Sequence, residues 1–182
     1  MADQPRVAKV LIALLFSMTT GAIVLMALGN NPPSAGPFCL SSYCRLDPVK
    51  EAIRSRACQS PARWNSIEVH FSGTRSGDIE GLAECYGLSN SEELNCHFVI
   101  YNGAGGGDGQ IQPTEKWQRQ WSTIPGRTWH GSTQTIRIFV VADGETAYPT
   151  DSQVRRTEIL TERLCRKFGI RGESVYYPGN WQ

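Results

Sequence analysis

An apolar run near the N-terminus, from residue 10 to residue 28, constrains this chain more than any other feature. It reads VLIALLFSMTTGAIVLMAL and contains no charged residue. A helix rises about 1.5 Å per residue, so the run approaches the ~30 Å hydrocarbon core of a bilayer. Arg6 and Lys9 precede it, and no Lys or Arg follows until Arg45. The positive-inside rule therefore predicts a single-pass membrane anchor with residues 1–9 in the cytoplasm.

A cleaved signal peptide is the competing interpretation of the same segment. The basic N-terminal region fits such a peptide, and Ala27-Leu28-Gly29 offers a small-x-small cleavage site. The apolar run is long for a signal peptide, however, which favours an uncleaved anchor. Under both interpretations the rest of the chain lies outside the cytoplasm.

The remaining residues have the composition of one folded domain rather than several. The chain has 182 residues and a formal net charge of +1, which excludes the basic footprint typical of nucleic-acid binding. An even number of cysteines in an exported chain permits disulfides, although the sequence leaves their pairing open. The six cysteines stand at positions 39, 44, 58, 85, 96 and 165.

The chain after the anchor divides into a connecting region and a main domain. The stretch GNNPPSAGP, which follows the anchor, is punctuated by Pro and Gly and is typical of a linker. Further along, Asp47-Pro48 predicts the start of a short helix that runs to Arg56. We therefore expect residues 29–63 to form a linker with a Cys-containing collar, and residues 64–182 to form the main domain.

Hydrophobic patterns in the main domain predict an α/β fold. The segment Ile67–Phe71 alternates between apolar and polar residues, which is typical of a strand. A β-branched segment at residues 135–141 is the candidate for the sheet centre. Apolar residues at helical spacing predict a long helix that ends at Gly169. Further strands are expected at residues 97–101 and 110–112, and a short helix at residues 79–86. The expected architecture is a central mixed β-sheet flanked by helices and preceded by one transmembrane helix.

Three sequence blocks follow one another in the main domain. The first is IEVHFSGT at residues 67–74, and the second is CHFVI at residues 96–100 with NG and GDG shortly after it. The third is the strand at residues 135–141, followed by a Pro-Thr-x-x-Gln helix start and a helix end of Lys-Phe-Gly-Ile. In order and spacing these blocks resemble the zinc amidase family, which contains N-acetylmuramoyl-L-alanine amidases, phage amidase-type lysozymes and peptidoglycan recognition proteins. The resemblance extends from about residue 64 to residue 178.

The resemblance implies a zinc-dependent hydrolase of the amide that joins muramic acid to L-alanine in peptidoglycan. Zinc polarises a carbonyl and lowers the pKa of its bound water to about 7, and such a site needs three protein ligands. His70 matches the family's first zinc ligand. No His stands near Tyr177 or Pro178, where the second ligand is expected, and the third would lie at or beyond the last residue. Cys96 replaces the Tyr that the family has before its His-Phe pair.

A rebuilt metal site is the alternative to a lost one. The chain has three histidines, His70, His97 and His130. The resemblance implies that His97 packs inside the fold, whereas His130 lies in a loop where the family often has a His near its active site. A zinc site made from His70, His130 and a Cys or Asp therefore stays open. The missing ligands favour a domain that binds no zinc.

Aromatic and basic residues between positions 115 and 132 indicate a candidate substrate surface. Aromatic faces and guanidinium groups suit glycans and carboxylates. The candidates for this groove are Trp117, Trp121, Arg127 and Trp129. A semi-buried edge of the core explains the same residues equally well.

Together these features predict a membrane-anchored, amidase-like domain on the periplasmic or cell-wall side of the membrane. We expect it to bind peptidoglycan or a cell-envelope protein, and no nucleic acid, without hydrolysing its ligand. An active zinc amidase with rearranged ligands is one alternative. A structural or assembly module of the cell envelope is the other.

Overall fold

The computed structural model of the chain describes residues 9, 10, 12, 14–20, 47–60, 63–124 and 133–181. The chain divides into two units, Met1–Cys44 and Arg45–Gln182. In the first unit, residues 9, 10, 12 and 14–20 are helical. Among the residues that the structure describes, no helix combines the length and the apolar character needed to cross a bilayer. The rest of the proposed anchor, residues 11, 13 and 21–28, lies outside the described residues.

A mixed β-sheet forms the centre of the second unit, as the sequence predicts. In the described residues its five strands are β1 (Ser66–Phe71), β2 (Phe98–Ile100), β3 (Ile111–Pro113), β4 (Thr135–Val140) and β5 (Val175–Tyr176). They lie in the order β3-β2-β4-β1-β5. β2 and β3 form an antiparallel pair, and all other neighbouring strands are parallel. The β-branched strand β4 lies at the centre, which confirms the position predicted for it.

Four α-helices accompany the sheet in the described part of this unit. They are α1 (Asp47–Ile53), α2 (Ile79–Cys85), α3 (Glu115–Gln118) and α4 (Asp151–Phe168). α4 is the long helix that the sequence predicts. It ends at Gly169, which has a φ of 68°, a left-handed conformation that glycine adopts without steric cost. The expected α/β architecture is therefore confirmed for the described main domain.

α4 packs its apolar side against one face of the sheet. Side chains two residues apart on a strand point to the same face, so Ile67 and Val69 of β1 share this face with Ile136 and Ile138 of β4. These residues form one core with Leu160, Leu164 and Phe168 of α4. A second, smaller apolar cluster forms around Leu82, Val99 and Phe139. His70, which matches the family's first zinc ligand, belongs to β1, one of the strands that separate the two clusters.

α1 belongs to the main core rather than to a separate collar. Its residues Val49, Ala52 and Ile53 are buried in the same cluster as α4, on the side of the helix predicted to be apolar. The helix ends at Ile53, three residues before the predicted end at Arg56. The predicted disulfides find no support in the described residues, because Cys58, Cys85, Cys96 and Cys165 are free thiols. Cys39 and Cys44 lie outside the described residues.

Gln153 fastens the start of α4 to the ends of two strands. Its side-chain Nε2 donates to the carbonyl oxygens of Ile100, at 2.9 Å, and Val141, at 3.1 Å. Its Oε1 accepts from the backbone N–H of Thr150, whose hydroxyl oxygen in turn accepts from the N–H of Gln153. This reciprocal pair is a capping box. The P-T-x-x-Q block thus orients the helix as well as starting it.

We expect Gln153→Leu to lower the free energy of unfolding by about 1–3 kcal/mol, because it removes two buried hydrogen bonds to the carbonyl oxygens of Ile100 and Val141. Ser152→Ala at the neighbouring position is the matched control, and its effect should be within about 0.5 kcal/mol. Urea unfolding followed by circular dichroism measures both. Equal effects of the two substitutions would show that the buried amide does not fasten the helix.

Candidate functional site

A buried ion pair lies directly beside the candidate zinc ligand His70. Glu68 of β1 is in register with Arg137 of β4, and the Nε of Arg137 donates to Glu68 Oε2 at 3.2 Å. Both side chains are almost completely buried. Residues two apart on a strand share a face, so Glu68 and His70 point to the same side of β1. His70 Nε2 lies 3.4 Å from the same Oε2 atom.

Sequence alternation predicted a polar face for Glu68 but gave no partner for it. The structure buries Glu68 to 2 % exposure because the guanidinium of Arg137, 69 residues later in the chain, balances its charge. A buried carboxylate is stable only when it is paired and hydrogen-bonded. Arg137 is therefore a site residue that the sequence reasoning missed. The signal available in the sequence is an arginine inside a β-branched strand, TIRIFVV.

His70 stands near the carboxyl end of β1, with about a quarter of its side chain exposed. Burial lowers the pKa of His70, and the neighbouring Glu68 carboxylate opposes this shift. The chain turns immediately after the strand, where the Ser72 hydroxyl lies 2.9 Å from that of Thr74. The Tyr86 hydroxyl donates to the Ser72 carbonyl at 2.7 Å and so fixes this turn. His70 is thus a half-buried imidazole on a well-ordered strand end.

His97 is a structural residue, as its position in the second sequence block implied. It is fully buried, its Nδ1 accepts from the backbone N–H of Arg137 at 2.9 Å, and its Nε2 lies 2.9 Å from the carbonyl oxygen of Trp121. These partners require a neutral ring with the proton on Nε2. Burial lowers the pKa of His97 to about 3. The ring connects β4 to the segment after α3 and has no access to a ligand.

We expect His97 to make the domain sensitive to acid. Its folded pKa of about 3 lies below the unfolded value of about 6.5, so its stabilising effect is complete above pH 6.5 and declines as the pH falls. His97→Gln removes the titrating ring. The difference in unfolding free energy between the native chain and this variant should narrow by about 2 kcal/mol from about pH 8 to about pH 5. A difference that is independent of pH would contradict the buried neutral ring.

Arg137 also fixes the point where the chain enters residues 125–132. Its Nη1 donates to the Ile124 carbonyl at 2.8 Å, and Asn95 Nδ2 donates to the same oxygen at 2.7 Å. Asn95 Oδ1 accepts from the Ile124 N–H at 2.8 Å. Three predicted site residues, Arg127, Trp129 and His130, lie outside the described residues. Their assignments as groove or metal residues stay predictions.

A small apolar cavity opens beside the sheet position next to His70. Phe139 of β4 is in register with His70 and lines a cavity of about 230 Å³. The other lining residues are Tyr86, Leu88, Glu93, Leu94 and Asn95. His70 and Glu68 share this face of the sheet with Phe139, but neither of them lines the cavity. Sequence reasoning missed Tyr86 and Asn95 as lining residues, because neither belongs to a recognisable motif.

The donor atoms around His70 determine whether the described residues could bind zinc. Within the described ranges, no group of three or more His, Cys, Asp or Glu side chains is arranged to hold a metal ion. The Glu68 carboxylate beside His70 is already bonded to a buried guanidinium. A dication at that carboxylate would also lie close to the Arg137 charge, in a region of low dielectric that strengthens the repulsion. The described residues therefore do not form a complete zinc site by themselves.

The structure corrects the assignment of Trp117 to a substrate groove. Trp117 is fully buried, and its Nε1 donates to the Ile53 carbonyl at 3.2 Å. It packs against Trp64, Phe98 and Phe168. Trp121 differs, because 46 % of its surface is exposed and the Arg119 guanidinium lies 4.6 Å from its ring centroid. Trp121 is thus accessible to a ligand, and its role stays a prediction.

No protein-family model matches the sequence, and no curated protein matches it either. Among solved structures, the chain is similar to the endolysin N-acetylmuramoyl-L-alanine amidase LysCS from Clostridium intestinale URNW. The identity is 18 %, the match covers 68 % of this chain and 75 % of that one, and the TM-score is 0.42.

Two further solved structures are similar at the same level. The N-acetylmuramyl-L-alanine amidase AmiD from E. coli shows 15 % identity and a TM-score of 0.42, over 68 % of this chain and 51 % of that one. The chain thus spans about half of that AmiD chain. PGRP-Hd from Alvinella pompejana shows 12 % identity and a TM-score of 0.41, over 78 % of this chain and 85 % of that one. All three TM-scores lie below 0.5, so these similarities establish neither activity nor ligand.

Proposed function

We propose that this chain presents an amidase-like domain that binds peptidoglycan without hydrolysing it. The three sequence blocks that resemble zinc amidases support the ligand class. They fall on β1, on the hairpin of β2 and β3, and on β4 with α4, in the order that the resemblance requires. We expect a surface that this scaffold shares with zinc amidases to bind the same polymer even when the catalytic residues have changed.

The ion pair beside His70 is the observation that supports binding without hydrolysis. A catalytic zinc needs three protein ligands and an open position for water. Glu68 cannot coordinate a metal through Oε2 without giving up Arg137, which would leave a buried cation unpaired at a cost of about 3–5 kcal/mol. The pair thus removes Glu68 as a substitute ligand beside His70, the one position that carries over the family's ligand.

We further propose that residues 10–28 anchor the domain in a membrane, with residues 1–9 in the cytoplasm and the domain on the periplasmic or cell-wall side. The described side chains of this run are exposed, including Ile12, Leu15 and Phe16. Exposed apolar side chains of this density are typical of a segment that contacts lipid or another apolar surface. Protease added to intact spheroplasts should cut the domain while leaving the N-terminal residues protected.

Metal content tests the absence of hydrolysis. We expect the full-length chain, purified in detergent without chelator, to contain much less than one zinc per molecule by elemental analysis. His70→Ala should leave that value unchanged. One zinc per molecule in the native chain, lost in His70→Ala, would overturn the proposal and establish the alternative of an active amidase site with ligands such as His130.

Binding to purified sacculi tests the ligand. We expect the full-length chain to sediment with sacculi and to release no soluble muropeptides from them. A folded chain that stays in the supernatant would remove peptidoglycan as the ligand and favour the alternative of a structural or assembly module.

A further inference from the structure

A second groove lies at the start of α4, away from His70. Its volume is about 630 Å³, within the ~300–1,000 Å³ typical of small-molecule sites. The residues that line it come from the loop before α4, the first turns of that helix and the C-terminal segment. They include Tyr148, Pro149, Asp151, Arg155, Asn180 and Trp181. Of these residues, Pro149 alone is a defining position of the motifs that resemble amidases, where it begins the Pro-Thr-x-x-Gln block.

The groove is on the opposite side of the sheet from His70. Neighbouring residues on a strand point to opposite faces, so the ring of Phe71 lies on the α4 side of β1, while His70 faces away from it. Trp181 stacks on Phe71, with ring centroids 6.1 Å apart and an interplanar angle of 19°. Because Trp181 lines the groove, a ligand there would not contact the site around Glu68.

Two aromatic residues give the groove one fixed wall and one accessible ring. Trp181 is only 9 % exposed and is held between Phe71 and Tyr177, the latter 5.2 Å away. The adjacent Asn180 donates from Nδ2 to the Gly144 carbonyl, which fastens the C-terminal segment to the loop after β4. Tyr148, by contrast, is 61 % exposed. Tyr148 is therefore the aromatic ring of the groove that a ligand ring can stack on, while Trp181 forms the fixed wall beside it.

The polar side chains that line the groove carry no net charge. Asp151 contributes one negative charge and Arg155 one positive charge, while Asn180 contributes an uncharged amide. A carboxylate ligand attracted by Arg155 would be repelled by Asp151, so this lining does not favour a net charge of either sign. It does supply both hydrogen-bond donors and acceptors. A ligand with many hydroxyl or amide groups and flat apolar ring faces meets both requirements.

From this combination we infer that the groove binds a neutral oligosaccharide of pyranose rings. The inference rests on the proposed function, in which the glycan strand of peptidoglycan supplies a run of N-acetylated amino sugars. The groove then holds the glycan strand on the α4 side of the sheet, independently of any peptide stem near His70. Tyr148 stacks on a sugar face, and Asp151, Arg155 and Asn180 bond its hydroxyl and amide groups.

Calorimetric titration of the full-length chain in detergent tests the inference with two probes. Chitotetraose is a neutral oligomer of N-acetylglucosamine, and tetragalacturonate is a carboxylate-bearing oligomer of similar length. We expect binding of chitotetraose and much weaker binding of tetragalacturonate. Tyr148→Ala should weaken chitotetraose binding about tenfold, the factor that corresponds to 1.4 kcal/mol. Tyr176→Ala is the matched control, because Tyr176 is 47 % exposed but does not line the groove.

Three outcomes would overturn the inference. They are no binding of chitotetraose, preferred binding of tetragalacturonate, and equal weakening by Tyr148→Ala and Tyr176→Ala. The sacculus assay separates this failure from failure of the proposed function. A chain that sediments with sacculi but ignores chitotetraose keeps the proposed function and loses the glycan groove. A folded chain that binds neither loses both.

Discussion

Arg137→Met should destabilise the domain by about 3–5 kcal/mol, because it leaves the Glu68 carboxylate buried without its partner. Both side chains are nearly inaccessible to water, with exposures of 0 % for Arg137 and 3 % for Glu68. Arg137 also donates to the Ile124 carbonyl, so the variant loses that bond as well. Urea unfolding of the full-length chain followed by circular dichroism measures the change.

The double variant Glu68→Leu with Arg137→Met is the matched control for this prediction. Removing both charges of a buried pair is often neutral or stabilising when the new side chains pack well. We therefore expect the double variant to recover most of the stability that Arg137→Met loses. If the two variants are equally unstable, the loss comes from packing around β4 rather than from the unpaired carboxylate.

Trp117→Ala should lower the unfolding free energy by about 3–5 kcal/mol, the range found when a buried aromatic side chain is truncated. Trp117 fills the space between α1, α4 and the sheet, where it contacts Phe98 and Phe168. The substitution also removes the indole N–H that donates to the Ile53 carbonyl. A drop of this size is a large fraction of the 5–15 kcal/mol that typically stabilises a domain. Thermal and urea unfolding both report it.

Trp121→Ala provides the comparison, since the two residues are four positions apart and differ in exposure. Trp121 is 46 % exposed, so we expect a stability loss of less than about 1 kcal/mol. The two variants therefore compare a core residue with a surface residue of the same segment. Similar losses for the two variants would contradict the placement of Trp117 in the core.

The sequence predicted the fold well, because its strongest patterns are local. Alternation in β1, β-branched residues in β4 and a capped helix with Gly169 at its end are each visible within a short window. The structure moves the boundaries by one to three residues, as in α1, which ends at Ile53 instead of Arg56. These shifts arise where tertiary packing, rather than local preference, decides where an element ends.

The site was less predictable, because it depends on contacts between distant segments. Glu68 and Arg137 are 69 residues apart, and only the parallel register of β1 and β4 brings them together. Trp117 lies in a polar segment with little apolar periodicity, yet a single helical turn places it in the core. The cavity beside Phe139 depends on Tyr86, at the end of α2, and on Asn95, from an irregular segment. The sequence identifies His70 because its motif is local. It does not identify the residues that surround His70, because most of them come from distant segments.

Sedimentation with purified sacculi in the presence of EDTA is the most direct test of the central claim. We expect the full-length chain to bind equally well with EDTA and with added zinc, and to release no muropeptides under either condition. The guanidinium of Arg137 already neutralises the Glu68 carboxylate, so we expect binding to need no metal there. Binding that disappears with EDTA and returns with zinc, or release of muropeptides that depends on zinc, would contradict the account.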